Sequence, residues 1–126
     1  MSETKASAQA RQIVDEFGAA FAKKDFSGAR RLLHDDLSFH GPIDTFSRAD
    51  DYVASITRLG AIMKGLRHEK TLVEGNEVAV FYVLDTALGS APVADWYTIR
   101  DNKIASIRTY FDARPFAPPA GSAGGH

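Results

Sequence analysis

The stretch Val78-Ala79-Val80-Phe81-Tyr82-Val83-Leu84 is apolar without alternation. It is short, flanked by turn residues and rich in β-branched and aromatic side chains, which marks a strand rather than a helix. Successive side chains of a strand point to opposite faces, so this strand needs an apolar cover on both sides. Any fold for this chain must supply two covers to one sheet.

The first half of the chain supplies one of them. Ile13, Val14, Phe17, Ala20 and Phe21 recur at helical spacing, and Lys23-Lys24 suit the negative end of that helix. A second, short helix is expected from about Ser27, capped by Asp25 or Ser27, with Ala29, Leu32 and Leu33 inward. A brief extended piece from Leu37 to His40 stops at Gly41-Pro42. Ser47-Arg48-Ala49-Asp50 reads as the boxed start of a third helix. Its stripe is Tyr52, Val53, Ile56, Leu59 and Met63, with Gly60 or Gly65 at its end.

The second half switches to strands over 66–73, 78–88, 93–100 and 103–112. The separators are Glu74-Gly75-Asn76, a turn near Gly89-Ser90-Ala91-Pro92, and the tight turn Asp101-Asn102. Connections this short make an antiparallel meander. The reading is an α+β domain over 1–113, its three N-terminal helices packed on a mainly antiparallel sheet. A flexible tail rich in Pro, Gly and small residues is expected over 114–126, with His126 part of it. A length of 126 residues suits one core. The helices cover one sheet face only. A second copy of the sheet is the simplest cover for the other, so a homodimer through the outer face is expected, with the N-terminal segment or the tail as the other possible cover.

Several function classes drop out. The formal net charge is -1 and the longest cationic run is Arg30-Arg31, so neither nucleic acid nor an acidic membrane is an expected partner. There are no cysteines, which removes disulfides and thiolate chemistry and fits a cytoplasmic setting. No apolar run approaches the ~20 residues of a bilayer span, and the polar start MSETKASAQARQ is not expected to be a secretory signal. No glycine-rich phosphate loop or nucleophile elbow is present, and no cofactor is expected. His34, Asp35 and Asp36 are sequence neighbours that splay apart at a helix end, so no metal site is expected either.

Asp95 is the leading candidate for chemistry. It lies between Val93-Ala94 and Trp96-Tyr97 on an interior strand, where loss of hydration should raise its pKa. Its alternative is an ion pair or a place at a dimer interface. Parity puts Asp95 and Tyr97 on one face and Trp96 on the other; it groups Ile107, Thr109 and Phe111 against Arg108, Tyr110 and Asp112. His40 and His68 are weaker acid–base candidates, set against structural or solvent roles. Asp112 is expected at the rim, meeting Arg114 or Arg108. The ligand-facing set is Phe17, Phe21, Phe39, Tyr52, Tyr82, Tyr97, Ile107 and Phe111, with core packing the alternative for most. A buried tyrosine hydroxyl needs a partner, which makes Tyr52 and Tyr97 plausible donors to a ligand.

Two segments carry a family resemblance. One is Asp25-Phe26 with Leu32-Leu33-His34-Asp35-Asp36 running into Phe39-His40-Gly41-Pro42. The other is Asp95-Trp96-Tyr97 through Asp101-Asn102-Lys103-Ile104 to Arg108-Thr109-Tyr110-Phe111-Asp112. With the order of elements, they resemble the nuclear transport factor 2-like superfamily, and its SnoaL-like branch in particular. The resemblance implies a strongly curved sheet closing a cone with the helices, with the site inside. The superfamily hosts isomerases, dehydratases, epoxide hydrolases, cyclases and binding proteins. In ketosteroid isomerases an oxyanion-hole acid lies at the strand position of Asp95. The base expected before the proline is Gly41 here, and the expected helix-1 tyrosine aligns with Phe17. The inward acid of limonene epoxide hydrolase would fall at Thr109, and its Arg-x-Asp partner is missing. The resulting reading is a pocket for an apolar small molecule. It is compatible with a cofactor-independent isomerase, lyase or hydrolase working at Asp95, and equally with a non-catalytic binding or dimerisation domain.

Overall fold

A computed structural model describes residues 4–114, so the expected tail beyond Arg114, His126 included, lies outside the described residues. The elements are α1 (Lys5–Ala22), α2 (Phe26–Arg30), β1 (Leu33–His40), β2 (Thr45–Phe46), α3 (Ala49–Gly60), β3 (Met63–Glu74), β4 (Glu77–Thr86), β5 (Gly89–Arg100) and β6 (Lys103–Phe111). They form an α+β fold in which helices pack on one curved six-stranded sheet of order β2-β1-β6-β5-β4-β3. The β1–β6 pair is parallel and the other neighbours are antiparallel. Three helices were expected; of these only α1 and α3 are long, α2 having 5 residues.

Local chemistry sets the ends of these elements. Thr4 caps α1 by accepting from the Ser7 N–H at 3.0 Å. Lys24 takes a φ of 61°, which turns the chain out of α1 so that Asp25 can cap α2 through the Gly28 N–H. The turn after β5 uses positive φ at both Asp101 and Asn102, residue types that tolerate it. The expected box at Ser47 does not form. Arg48 is the cap residue without a side-chain bond, and Asp50 and Asp51 in the first turn of α3 complement its dipole instead.

Three boundaries move. Leu33 opens β1 rather than closing a helix, and the β1–β6 register shifts between Leu33 and Ser38. Met63 lies in β3, since α3 stops at Gly60. The β4–β5 turn falls at residues 87–88, earlier than the Gly89-Ser90-Ala91-Pro92 signal. The Thr86 hydroxyl fixes it by accepting from the Leu88 N–H at 3.0 Å and donating to the Gly89 carbonyl at 2.9 Å.

The core lies between the helices and the inner sheet face. Phe17, Leu33, Leu37, Val78, Ile104 and Ile107 are its most buried large side chains. Phe17 meets Tyr97 edge-on at 5.9 Å between ring centres. Along β5, Ala91, Val93, Asp95, Tyr97 and Ile99 are buried, while Pro92, Trp96 and Arg100 are exposed. The outer sheet face carries half-buried Phe81 and Val83 and exposed Leu72, Trp96 and Tyr110. Among the described residues, no helix is long and apolar enough to cross a membrane.

Candidate functional site

A cavity of about 260 Å³ lies between α3, the β1–β2 connection and the inner ends of β4–β6. Its apolar walls come from Phe21, Phe39, Ile56, Leu59, Leu84 and Phe111, and Pro42, Ile43, Asp44 and Leu88 stand among its lining. Ile43 and Leu88 are about half exposed, at 51% and 56%. They are apolar side chains left facing solvent at the cavity rim.

The polar part of the wall is built on Asp95. Strand pairing sets Asp95 opposite Val80 on β4 and opposite Thr109 on β6, with Tyr82 and Tyr97 two residues along on the same face. Three hydroxyls converge on the carboxylate. Thr109 donates to Oδ1 at 2.7 Å; Tyr82 and Tyr97 donate to Oδ2 at 2.8 and 3.0 Å. Asp95 is only 5% exposed, and no cationic side chain is bonded to it among the described residues.

Burial pushes the Asp95 carboxyl above the ordinary aspartate value, and the hydrogen bonds from Thr109, Tyr82 and Tyr97 draw it part of the way back. Burial, with the neighbouring Asp95 charge, pushes the hydroxyls of Tyr52, Tyr82 and Tyr97 well above the ordinary tyrosine value. They stay protonated donors at any physiological pH. Tyr52, on α3, lines the cavity against the Phe39 ring, 4.7 Å between centres, and its hydroxyl bonds to none of the described residues.

A second cavity, of about 250 Å³, lies on the other side of Phe21 and Tyr82, between α1 and strands β3–β5. Asp95, Phe21 and Tyr82 line both cavities, while Tyr97 and His68 line only the second. His68 is exposed and bonds the Thr71 hydroxyl at 2.7 Å.

The other expected site residues fall elsewhere. Phe17 and Ile107 face inward but line neither cavity; both are absorbed in the core, Phe17 under Tyr97 and Ile107 beside β1. His40 is exposed and lines neither cavity, because alternation from half-buried, inward Phe39 turns it away. Asp112 pairs with Arg114 at 2.6 Å, which holds its carboxyl down at about 2. His34 bonds the Arg100 carbonyl at the surface. Among the described residues, no group of three or more His, Asp or Glu is arranged for a metal ion.

Four contributors were missed: Thr109, Ser55, Ile62 and Leu88. Parity with Ile107 and Phe111 points Thr109 inward, but nothing in the sequence marks it as a donor to Asp95. Ser55, Ile62 and Leu88 line the cavity through turns and helix edges that no periodicity marks.

No curated protein matches the chain in sequence. Solved structures do. An NTF2-like protein of unknown function from Cytophaga hutchinsonii is 25% identical, with 91% of this chain and 98% of that chain covered at a TM-score of 0.76. An LEH-like epoxide hydrolase of M. tuberculosis is 18% identical, covering 86% of each chain at 0.72. A candidate ketosteroid isomerase from Kribbella flavida is 14% identical, covering 93% of this chain and 87% of that chain at 0.77. The last two likenesses are likenesses of fold. The SnoaL-like domain family matches residues 14–107, most of the described chain, and the protein therefore belongs to the SnoaL-like domain family of the NTF2-like superfamily.

Proposed function

We propose that the protein binds an apolar small molecule in the cavity beneath α3 and acts on it by proton transfer at Asp95, without a cofactor. The helices and the curved sheet close a cone around that cavity, and its volume of about 260 Å³ suits a ligand of about ten non-hydrogen atoms.

The carrying observation is a lone carboxyl in an apolar wall, held by three hydroxyls and bordering the cavity. A neutral side chain in that place would carry a lower desolvation cost than a carboxylate. A titratable group in that place is what proton transfer requires. The ionised carboxylate takes a proton from the ligand, and the resulting acid returns it to a second atom of the ligand. Tyr52 offers its unengaged hydroxyl to the ligand oxygen that gains charge meanwhile. Isomerisation and elimination fit that exchange; in hydrolysis the carboxylate would instead take the proton from an attacking water and return it to the leaving oxygen of the ligand. The epoxide hydrolase and isomerase among the structural neighbours are consistent with this class of chemistry.

A second reading is binding without turnover. Gly41 favours it, standing where the isomerase resemblance places a base. One experiment separates the two. A small cyclic ketone is incubated with the protein in D2O, and binding and α-proton exchange are both followed by NMR. The proposal expects exchange that disappears in Asp95→Asn while binding remains. Binding with no exchange above background leaves the binding reading.

The same proposal includes a homodimer. Phe81, Val83, Leu72, Trp96 and Tyr110 give the outer sheet face an apolar character that a second copy of the sheet matches.

A further inference from the structure

The second cavity has a wall in common with the first. Phe21, Tyr82 and Asp95 line both, so the two spaces meet at these residues. Apart from that wall, Val14, Leu66 and Val80 make its lining apolar, and Asp15, His68, Thr71 and Tyr97 are the polar residues around it.

Gly18 bears on why this space exists. It sits in the middle of α1, where glycine is among the poorest helix residues. A Cβ built on it meets nothing within 4 Å, and its φ is not positive, so neither packing nor backbone geometry requires a glycine there. Its missing side chain leaves room in the second cavity, as does the small Ala22 one turn later. The helix forgoes stability at a position that lines the same space as Asp95.

We propose that the cavity under α1 is a second compartment of the same ligand site. The ligand is then an elongated molecule with apolar parts on both sides of one central polar group, which meets Asp95 and Tyr82 where the two cavities adjoin. This rests on the ligand-binding reading above and narrows it to a substrate class. The two compartments together offer about 260 and 250 Å³, against the single short ligand that the first alone would hold.

The test compares two isomers of equal apolar content, undecan-6-ol and undecan-1-ol, with hexan-1-ol as a probe that the first compartment holds alone. Dissociation constants and stoichiometry are measured by calorimetry on the wild type, on Gly18→Leu and on Ala22→Leu. Both substitutions add side chain to the second compartment; leucine is a far better helix former than glycine and close to alanine, so at least one folded variant is expected. The proposal expects one undecan-6-ol per chain, bound at least about tenfold more tightly than undecan-1-ol. Either variant should reduce that preference to about twofold or less and leave hexan-1-ol within about twofold of the wild type. Absence of the preference, its persistence in both variants, or two alcohol molecules per chain would overturn the second compartment. If hexan-1-ol binds while these results fail, the first-cavity reading survives. If none of the three alcohols binds, that reading falls and this one with it.

Discussion

Thr109 and Asp95 face each other across β6 and β5, hydroxyl to carboxylate at 2.7 Å. A second acid at Thr109 would put two carboxyls against one another and force them to share a proton. The hydroxyl does the opposite, lending its proton to stabilise the ionised form. The facing β5–β6 pair thereby holds one carboxylate, with the Asp95 charge balanced between burial and three donors.

Removing the Thr109 donor tests that balance. Thr109→Val keeps the shape and loses the hydroxyl. Since this bond is the strongest of those holding the carboxyl down, the Asp95 pKa should rise further above the ordinary value. At neutral pH the loss should be about 1–3 kcal/mol, because Oδ1 then has no donor from the described residues. Carbon-detected NMR titration of the Asp95 carboxyl and urea unfolding check both effects. A carboxyl that titrates as in the wild type would remove Thr109 from the account.

Asp95 itself gives the protein a pH dependence of definite sign. Its folded pKa is raised, so the folded state holds the proton more tightly than the unfolded chain does. The stability this group contributes is full below the unfolded value of 3.8 and is lost as pH rises through the folded value. At neutral pH its charge is a burden on folding. Asp95→Asn should therefore be more stable than the wild type at pH 7, with the advantage shrinking as the pH approaches 4. Melting temperatures of the two proteins across that interval are the measurement. An advantage that grows on acidification would reverse the sign argued here.

The sequence carried the fold further than the site. The unalternating run from Val78 to Leu84 reported a strand with two apolar faces, and Val78 and Leu84 are buried inside while Phe81 and Val83 lie on the outer face. Parity along β5 placed Asp95 and Tyr97 together and turned Trp96 outward, because that strand is regular there. Leu33 was misread since Ala29, Leu32 and Leu33 fit a helical stripe, and the irregular β1 register between Leu33 and Ser38 leaves no alternation to read. The two-residue strand β2 is too short to leave a pattern. The partition of the interior into two cavities was out of reach. It depends on how far the Phe21 and Tyr82 rings extend, which spacing does not encode.

Gly41 is also constrained by packing, which bears on any attempt to place an acid there. A Cβ at Gly41 would stand 2.9 Å from Cζ and 3.0 Å from Cε2 of Phe39. That ring is itself held against Tyr52 at 4.7 Å and Phe46 at 5.8 Å. Gly41→Ala should cost about 1–3 kcal/mol as the ring is displaced. In Phe39→Leu the same change should cost much less, because the ring atoms that would clash are absent. A double-mutant cycle in urea reads this coupling. Additive costs would mean that Phe39 yields freely, and Gly41 would then be open to an acid.

The outer sheet face offers the last prediction. Arg108 lies over the Trp96 ring, 4.7 Å from its centre, and the indole N–H donates to Glu77 at 2.5 Å. Tyr110 lies on the same face, opposite Ala94, and is 54% exposed. Tryptophan, tyrosine and arginine are the residues that most often dominate binding at interfaces. If two copies pair through this face, Tyr110→Asp buries a carboxylate against apolar surface and should weaken the dimer at least about thirtyfold. The folded chain itself should tolerate the change, since that side chain supports none of the core. Sedimentation equilibrium should then give the dimer mass for the wild type and the monomer mass for the variant at the same concentration, with unchanged circular dichroism. A wild-type chain that stays monomeric at high micromolar concentration would leave the apolar face unexplained by self-association.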